Sequence, residues 1–85
     1  MLLAEEEAQP MSWWCLSYAD KVFRGAVIVQ ASGFLSAVAR ANELQINPGG
    51  EVAGFEILEE ALPLIPENQR NRLLTRAEVE AFGFE

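Results

Sequence analysis

The segment Asn47-Pro48-Gly49-Gly50 constrains the fold most, because it cannot continue the helix pattern that precedes it. Upstream, apolar residues recur at the spacing of one helix face, in the order Phe34, Ala37, Val38, Ala41 and Leu44. Ser32 is a favourable N-cap residue, so we expect a helix from Ser32 to about Leu44. Downstream, the segment Glu51–Leu58 alternates in the way that favours a third strand, with Ala53, Phe55 and Ile57 on one face.

Two segments before the helix are typical of strands. Residues 13–18 are rich in aromatic side chains, and Val22–Gln30 is rich in β-branched ones. A turn at residues 19–21 joins them, which predicts an antiparallel hairpin. A period of two places one set of side chains of the second strand on the same face, namely Phe23, Gly25, Val27 and Val29.

The last third of the chain predicts short elements. Pro63 and Pro66 indicate an irregular connection, and residues 72–74 suggest a short fourth strand. Thr75 and Glu78 have the spacing of a capping box, so we expect a final helix that ends at Gly83.

The order ββαβ(β)α predicts an α+β fold. We expect a small twisted sheet of three to four strands, with the amphipathic helix packed on one face and a short C-terminal helix. A strand–helix–strand unit favours a right-handed crossover. Residues 11–85 are predicted to form a single domain, and residues 1–10 an acidic N-terminal extension that is either a loosely attached tail or the product of an upstream start, since Met11 can also begin the chain.

Charge and cysteine content exclude several classes of function. The 85-residue chain carries a net charge of −7 and no histidine, which disfavours direct binding to duplex nucleic acid. The single cysteine, Cys15, cannot form an internal disulfide. No secretory signal and no apolar run of the length that spans a bilayer is apparent, so we expect a cytoplasmic protein without a membrane partner.

The residue types needed for catalysis are mostly missing. Cys15 has no histidine base, and Glu59 and Glu60 are adjacent, so their side chains diverge. Without histidine, and with one cysteine, there is no ordinary zinc site. We therefore predict that the protein is not an enzyme and has no metal or other cofactor.

The loop after the helix is the first candidate binding site. Pro48 and Gly49 suit a type II turn, and backbone N–H groups in such a turn can hold an anion. Asn47 and Glu51 flank the turn, and Gly50 extends its conformational range. The alternative is a helix-to-strand connection that needs these residues for its geometry alone.

Aromatic and basic residues supply the other candidates. Trp13 and Trp14 are neighbours in a strand, so they point to opposite faces and at most one lies under the helix. The other is either an anchor for a partner or buried beneath the N-terminal tail or the C-terminal helix. A basic group of Arg70, Arg72 and Arg76 either grips an anion or offsets the acidic stretch before it.

These features support two hypotheses of function. The first is a small accessory or inhibitory protein that acts by protein–protein contact; by analogy of size and charge it is a phage-encoded inhibitor of host defence. The second is a homo-oligomer that binds a nucleotide-like ligand, with a tryptophan on the base and the turn plus Arg24 or Arg72 on the phosphate. The excess of apolar residues favours self-association in either case. Residues 25–57 also resemble, in their order of strand, alanine-rich helix and Asn-Pro-Gly-Gly turn, small proteins of bacteria and their phages, which implies no activity.

Overall fold

The computed structural model describes residues 11–81 and confirms the predicted α+β fold. Strands β1 (Ser12–Ala19) and β2 (Phe23–Ala31) are followed by helix α1 (Phe34–Glu43) and strand β3 (Glu51–Glu56). Two 3-10 helices, Glu59–Leu64 and Glu67–Gln69, then lead to strand β4 (Leu73–Leu74) and helix α2 (Arg76–Glu80). The predicted extension at residues 1–10 and the helix stop at Gly83 lie outside the described residues.

The four strands form one antiparallel sheet in the order β3-β1-β2-β4. The hairpin of β1 and β2 is the predicted one, and β3 pairs with the other side of β1. Strands β2 and β3 therefore run parallel to each other with β1 between them, as a crossover through α1 requires. The right-handed sense of that crossover stays a prediction.

A bulge near the hairpin turn corrects the predicted face of Phe23. The register shifts between Tyr18 and Ala19, so that Tyr18 pairs with Gly25 but Ala19 pairs with Phe23. Arg24 is the extra residue, and an extra residue reverses the side-chain alternation on its far side. Phe23 consequently lies on the face away from α1, whereas Val27 and Val29 pack beneath α1 as predicted.

Helix α1 covers one face of the sheet through Ala37 and Ala41, which are fully buried against β1 and β2. Its N-cap is Gly33, with no side-chain capping bond, so the predicted cap at Ser32 is wrong. The Ser32 hydroxyl lies 3.5 Å from that of Ser36 instead of bonding to the helix backbone. The predicted cap, Ser32, and the observed cap, Gly33, are adjacent in the chain. Local sequence does not distinguish between them, because both residues can adopt the extended cap conformation.

The C-terminus of α1 is closed before Pro48 is reached. Gln45 adopts a left-handed conformation with φ of 61°. Its N–H donates to Asn42 O at 3.0 Å, and the Ile46 N–H donates to Ala41 O at 3.1 Å. This is the hydrogen-bond pattern of a Schellman motif, and the Ile46 side chain packs against the core beneath α1. The predicted end of the helix near Leu44 is confirmed.

A second core lies on the opposite face of the sheet. Residues 59–81 cover this face, and the buried residues are Cys15, Ile28, Ile57, Ile65 and Leu74. The predicted capping box is present, since the Thr75 hydroxyl accepts from the Glu78 N–H at 3.2 Å and the Thr75 N–H donates to the Glu78 carboxylate at 2.9 Å. The sheet is thus covered on both faces, by α1 on one and by residues 59–81 on the other.

Candidate interaction surface

Hydrogen bonds of the Asn47 side chain stabilise the Asn47-Pro48-Gly49-Gly50 turn. Asn47 Oδ1 accepts from the Gly49 N–H at 2.7 Å, and Asn47 Nδ2 donates to Asn42 Oδ1 at 2.7 Å. Both glycines have positive φ, 95° at Gly49 and 92° at Gly50. A Cβ atom on Gly50 would lie 2.9 Å from Ala19 O, so this position also requires the absence of a side chain. The geometry accounts for these residues as a connection between α1 and β3, with the Gly49 donor already engaged.

The two tryptophans point to opposite faces of β1, as alternation predicts. Trp14 packs on the core beneath α1, and its Nε1 donates to Ala31 O at 3.2 Å. Trp13 packs on the second core, where the Arg70 guanidinium carbon lies 4.9 Å from the centre of its ring. Each ring is half-buried by contacts within the chain.

Each of the arginines is engaged by other groups of the chain, although Arg24 and Arg76 line one depression. Arg24 pairs with Asp20 at 2.7 Å, Arg72 with Glu78 at 2.8 Å and Arg76 with Glu80 at 3.2 Å. Arg70 donates to Leu62 O at 3.3 Å and to Ile65 O at 3.0 Å.

These contacts lower the pKa values of two carboxyl groups, those of Asp20 and Glu78. The hydrogen bond from Arg24 lowers the pKa of Asp20. The Thr75 N–H, followed by Arg72, lowers the pKa of Glu78. Both carboxylates are therefore held in their charged form as structural partners. The alternative that the basic group pairs with the acidic stretch before it is wrong for Arg72 and Arg76, because their partners Glu78 and Glu80 follow it in the chain.

The predicted ligand residues are also too far apart to form one site within a chain. Trp13 and Ala19 lie toward opposite ends of β1, six residues or about 20 Å apart. Gly50 contacts Ala19, and Glu51 pairs with it at the start of β3. A base stacked on Trp13 therefore cannot place its phosphate on the turn of the same chain.

A depression that the sequence did not reveal lies between β3 and α2. It has a volume of about 220 Å³, and its lining includes Cys15, Phe23, Ala26, Phe55, Arg76 and Val79. We call it the β3–α2 groove. The alternation of side chains along β3 predicts the face on which Phe55 lies. The same rule places Phe23 on the wrong face, because it does not account for the bulge in β2. The groove exists because residues 59–81 cover the sheet face only in part.

Cys15 lies at the buried floor of the β3–α2 groove. Its side chain is 4% exposed, and burial raises the pKa of the thiol to about 11. Nucleophilic cysteines need the opposite shift, toward the thiolate. The structure thus shows a packing role for this residue.

The outer edge of β3 borders the β3–α2 groove. The Ile57 N–H donates to Trp13 O at 2.8 Å, and antiparallel pairing alternates, so residues 53, 55 and 57 direct their backbone groups toward β1. Val52, Gly54 and Glu56 direct theirs away from β1, where no strand pairs with them within residues 11–81.

Apolar and acidic residues continue beyond the end of β3. Met11 and Leu58 are 57% and 64% exposed and line one depression together with Glu56, Glu59 and Glu60. The carboxylate of Glu56 accepts a hydrogen bond from the Ser12 hydroxyl. This end of the sheet therefore carries exposed apolar side chains beside glutamates.

Among residues 11–81 no group of three His, Cys, Asp or Glu side chains is placed to hold a metal ion. None of the helices in the same range has the length and hydropathy to cross a membrane. Comparisons of the chain with protein-family models, with curated proteins and with solved structures find no match.

Proposed function

We propose that this chain is a non-enzymatic interaction protein that acts by contact with another protein, as an accessory or inhibitory factor. The observation that carries the proposal is the β3–α2 groove, an apolar depression bordered by Phe55 and by the outer edge of β3. The size and charge of the chain favour, by analogy, an inhibitor of host defence carried by a phage.

The exposed apolar side chains support contact with a macromolecule. Phe55 is 47% exposed beside the groove, and Met11 and Leu58 extend the apolar surface past the end of β3. Protein interfaces combine an apolar centre that contains aromatic residues with a polar rim. Here the glutamates that follow β3 supply the rim.

The alternative proposal is an oligomer that binds a nucleotide-like ligand between subunits. It would use Trp13 or Trp14 for the base and the turn at Gly49 with Arg24 or Arg72 for phosphate. A ligand stacked on Trp13 would have to replace the Arg70 contact, the Asn47 bond to the Gly49 N–H and the ion pair of whichever arginine held the phosphate. The geometry therefore favours the first proposal.

Capture of a partner by matched variants tests the proposed function. We expect immobilised wild-type protein to retain a specific partner that Phe55→Asp loses, because a charge beside the groove would be desolvated on contact. Leu35→Asp is the control, since Leu35 is 79% exposed on α1, on the opposite side of the sheet. Circular dichroism establishes that each variant is folded.

Two results would contradict the proposal. One is equal retention of every captured protein by the Phe55 and Leu35 variants, which would remove the groove from the interface. The other is a rise in melting temperature with nucleotides that is lost in Trp13→Ala and Gly49→Ala, which would favour the ligand-binding alternative.

A further inference from the structure

We infer that the outer edge of β3 accepts an extended, basic segment of the partner protein as a fifth strand of the sheet. The inference rests on the proposed function and specifies how the partner is recognised. In this mode, backbone hydrogen bonds provide affinity, and alternate side chains provide specificity.

The backbone of β3 is open to such pairing. Val52, Gly54 and Glu56 each direct an N–H and a C=O away from β1, and no strand pairs with them within the part of the chain that the structure describes. Because backbone groups alternate in direction along a strand, an added antiparallel strand could form hydrogen bonds with the N–H and C=O groups of all three residues. The six residues of β3 span about 20 Å, long enough for a peptide of similar length.

Apart from the charged residues Glu51 and Glu56 at its two ends, the strand carries none of the usual features that block an edge. Protected edges are very short or contain lysine, proline or a bulge. Residues 51–56 contain neither lysine nor proline, and their register with β1 has no shift. The opposite edge of the sheet, by contrast, is formed by the two-residue strand β4.

The two faces of the sheet differ at the middle of β3. A Cβ atom at Gly54 would lie 2.6 Å from the Leu16 side chain and 3.1 Å from the Phe34 ring, so packing under α1 requires glycine there. On the other face, Phe55 borders the β3–α2 groove, which can take an apolar side chain from the added strand. Backbone pairing and a side-chain pocket therefore adjoin each other.

Charge selects a basic partner. Glu51 and Glu56 stand at the two ends of β3, Glu59 and Glu60 follow, and residues 51–67 contain no lysine or arginine. A lysine or arginine on the added strand would lie across from Glu51 or Glu56, a favourable cross-strand arrangement. A second copy of this chain would instead bring the same glutamates and a net charge of −7.

Amide exchange with a designed probe tests the inference. The probe is a capped heptapeptide in which lysine and valine alternate, added to full-length protein labelled with ¹⁵N. We expect binding with a Kd below about 1 mM at low salt. The amides of Val52, Gly54 and Glu56 exchange rapidly in the free protein and become protected on binding, whereas those of Ala53, Phe55 and Ile57 are protected in both states.

Matched controls separate backbone pairing from charge attraction. The same peptide with alternate amides N-methylated keeps its charge but cannot complete the ladder, and we expect it not to bind. Glu56→Pro removes an outward N–H without removing a bond to β1, and we expect at least about tenfold weaker binding. Glu56→Gln keeps that N–H and should weaken binding by only about threefold.

Several outcomes would overturn strand addition. They are no binding at about 1 mM peptide, equal binding of the N-methylated peptide, or binding that leaves the three outward amides unprotected. Concentration-dependent protection of those amides without peptide would identify a second copy as the occupant. In each case a partner lost by Phe55→Asp would still support the proposed function, so the two proposals fail separately.

Discussion

Among single residues, Cys15 couples the stability of the fold to pH. Its thiol is buried under the β3–α2 groove, and desolvation raises its pKa from 9.0 to about 11 in the folded protein. As pH rises, the unfolded chain therefore ionises first. The stability attributable to a neutral Cys15 is complete below pH 9.0 and declines as pH rises toward 11.

We predict that the free energy of unfolding falls by up to about 1.4 kcal/mol per pH unit between these two pKa values because of Cys15. Burial also raises the pKa of Tyr18, so the wild-type slope contains both residues. Urea unfolding of wild type and Cys15→Ala at about pH 8 and about pH 10.5 isolates the cysteine. Equal slopes for the two proteins would show that Cys15 does not titrate with a raised pKa.

Among elements, the first 3-10 helix is attached to the sheet by Arg70 in addition to apolar packing on the second core. Its guanidinium donates to Leu62 O and Ile65 O, next to the end of the first 3-10 helix, while it stacks on the Trp13 ring of β1. Such 3-10 segments have few internal hydrogen bonds of good geometry. Arg70 thus adds a polar link between residues 59–69 and β1 to the packing of Ile65 on the second core.

We predict that Arg70→Met lowers the free energy of unfolding by about 1–3 kcal/mol, because two partly buried carbonyl groups lose a charged donor. A double-mutant cycle with Trp13→Leu should give a coupling energy of about 0.5–1 kcal/mol for the stacked pair. Arg40→Met is the control, since Arg40 pairs with Glu43 at the surface and should cost under about 0.5 kcal/mol. A cycle that is additive would mean that the Trp13 contact contributes nothing.

In the molecule as a whole, repulsion between acidic side chains lowers the stability of the folded chain. The chain has a net charge of −7, and its ion pairs within residues 11–81 are all at the surface, where each contributes little. Five glutamates lie between residues 51 and 67 with no base among them. The acids that favour a basic partner therefore also reduce the stability of the free protein.

We predict that raising NaCl from about 0.01 M to about 0.3 M increases the free energy of unfolding by a few tenths to about 1 kcal/mol, through screening of this repulsion. The double variant Glu59→Gln/Glu60→Gln should begin more stable and respond less to salt. Urea midpoints at the two salt concentrations measure both effects. A decrease in wild-type stability with salt would show that attractive ion pairs dominate instead.

Local patterns in the sequence determined the elements. Three patterns involve residues only a few positions apart: the apolar stripe of α1, the alternation of β3 and the capping box at Thr75. Backbone geometry alone therefore makes them predictable. The turn at Gly49 and Gly50 is predictable for the same reason, because positive φ favours glycine. Composition alone likewise shows that the chain has no histidine, so Cys15 lacks the residue that usually acts as its base.

Only the tertiary structure decided how those elements meet. The pairing of β3 with β1, the bulge that turns Phe23 toward the β3–α2 groove and the stacking of Arg70 on Trp13 join residues far apart in sequence. Such contacts depend on burial and hydrogen bonding across the whole chain, which no local window contains. For that reason the sequence pointed to tryptophans, arginines and a glycine turn, while the open edge of β3 and its groove emerged from the fold.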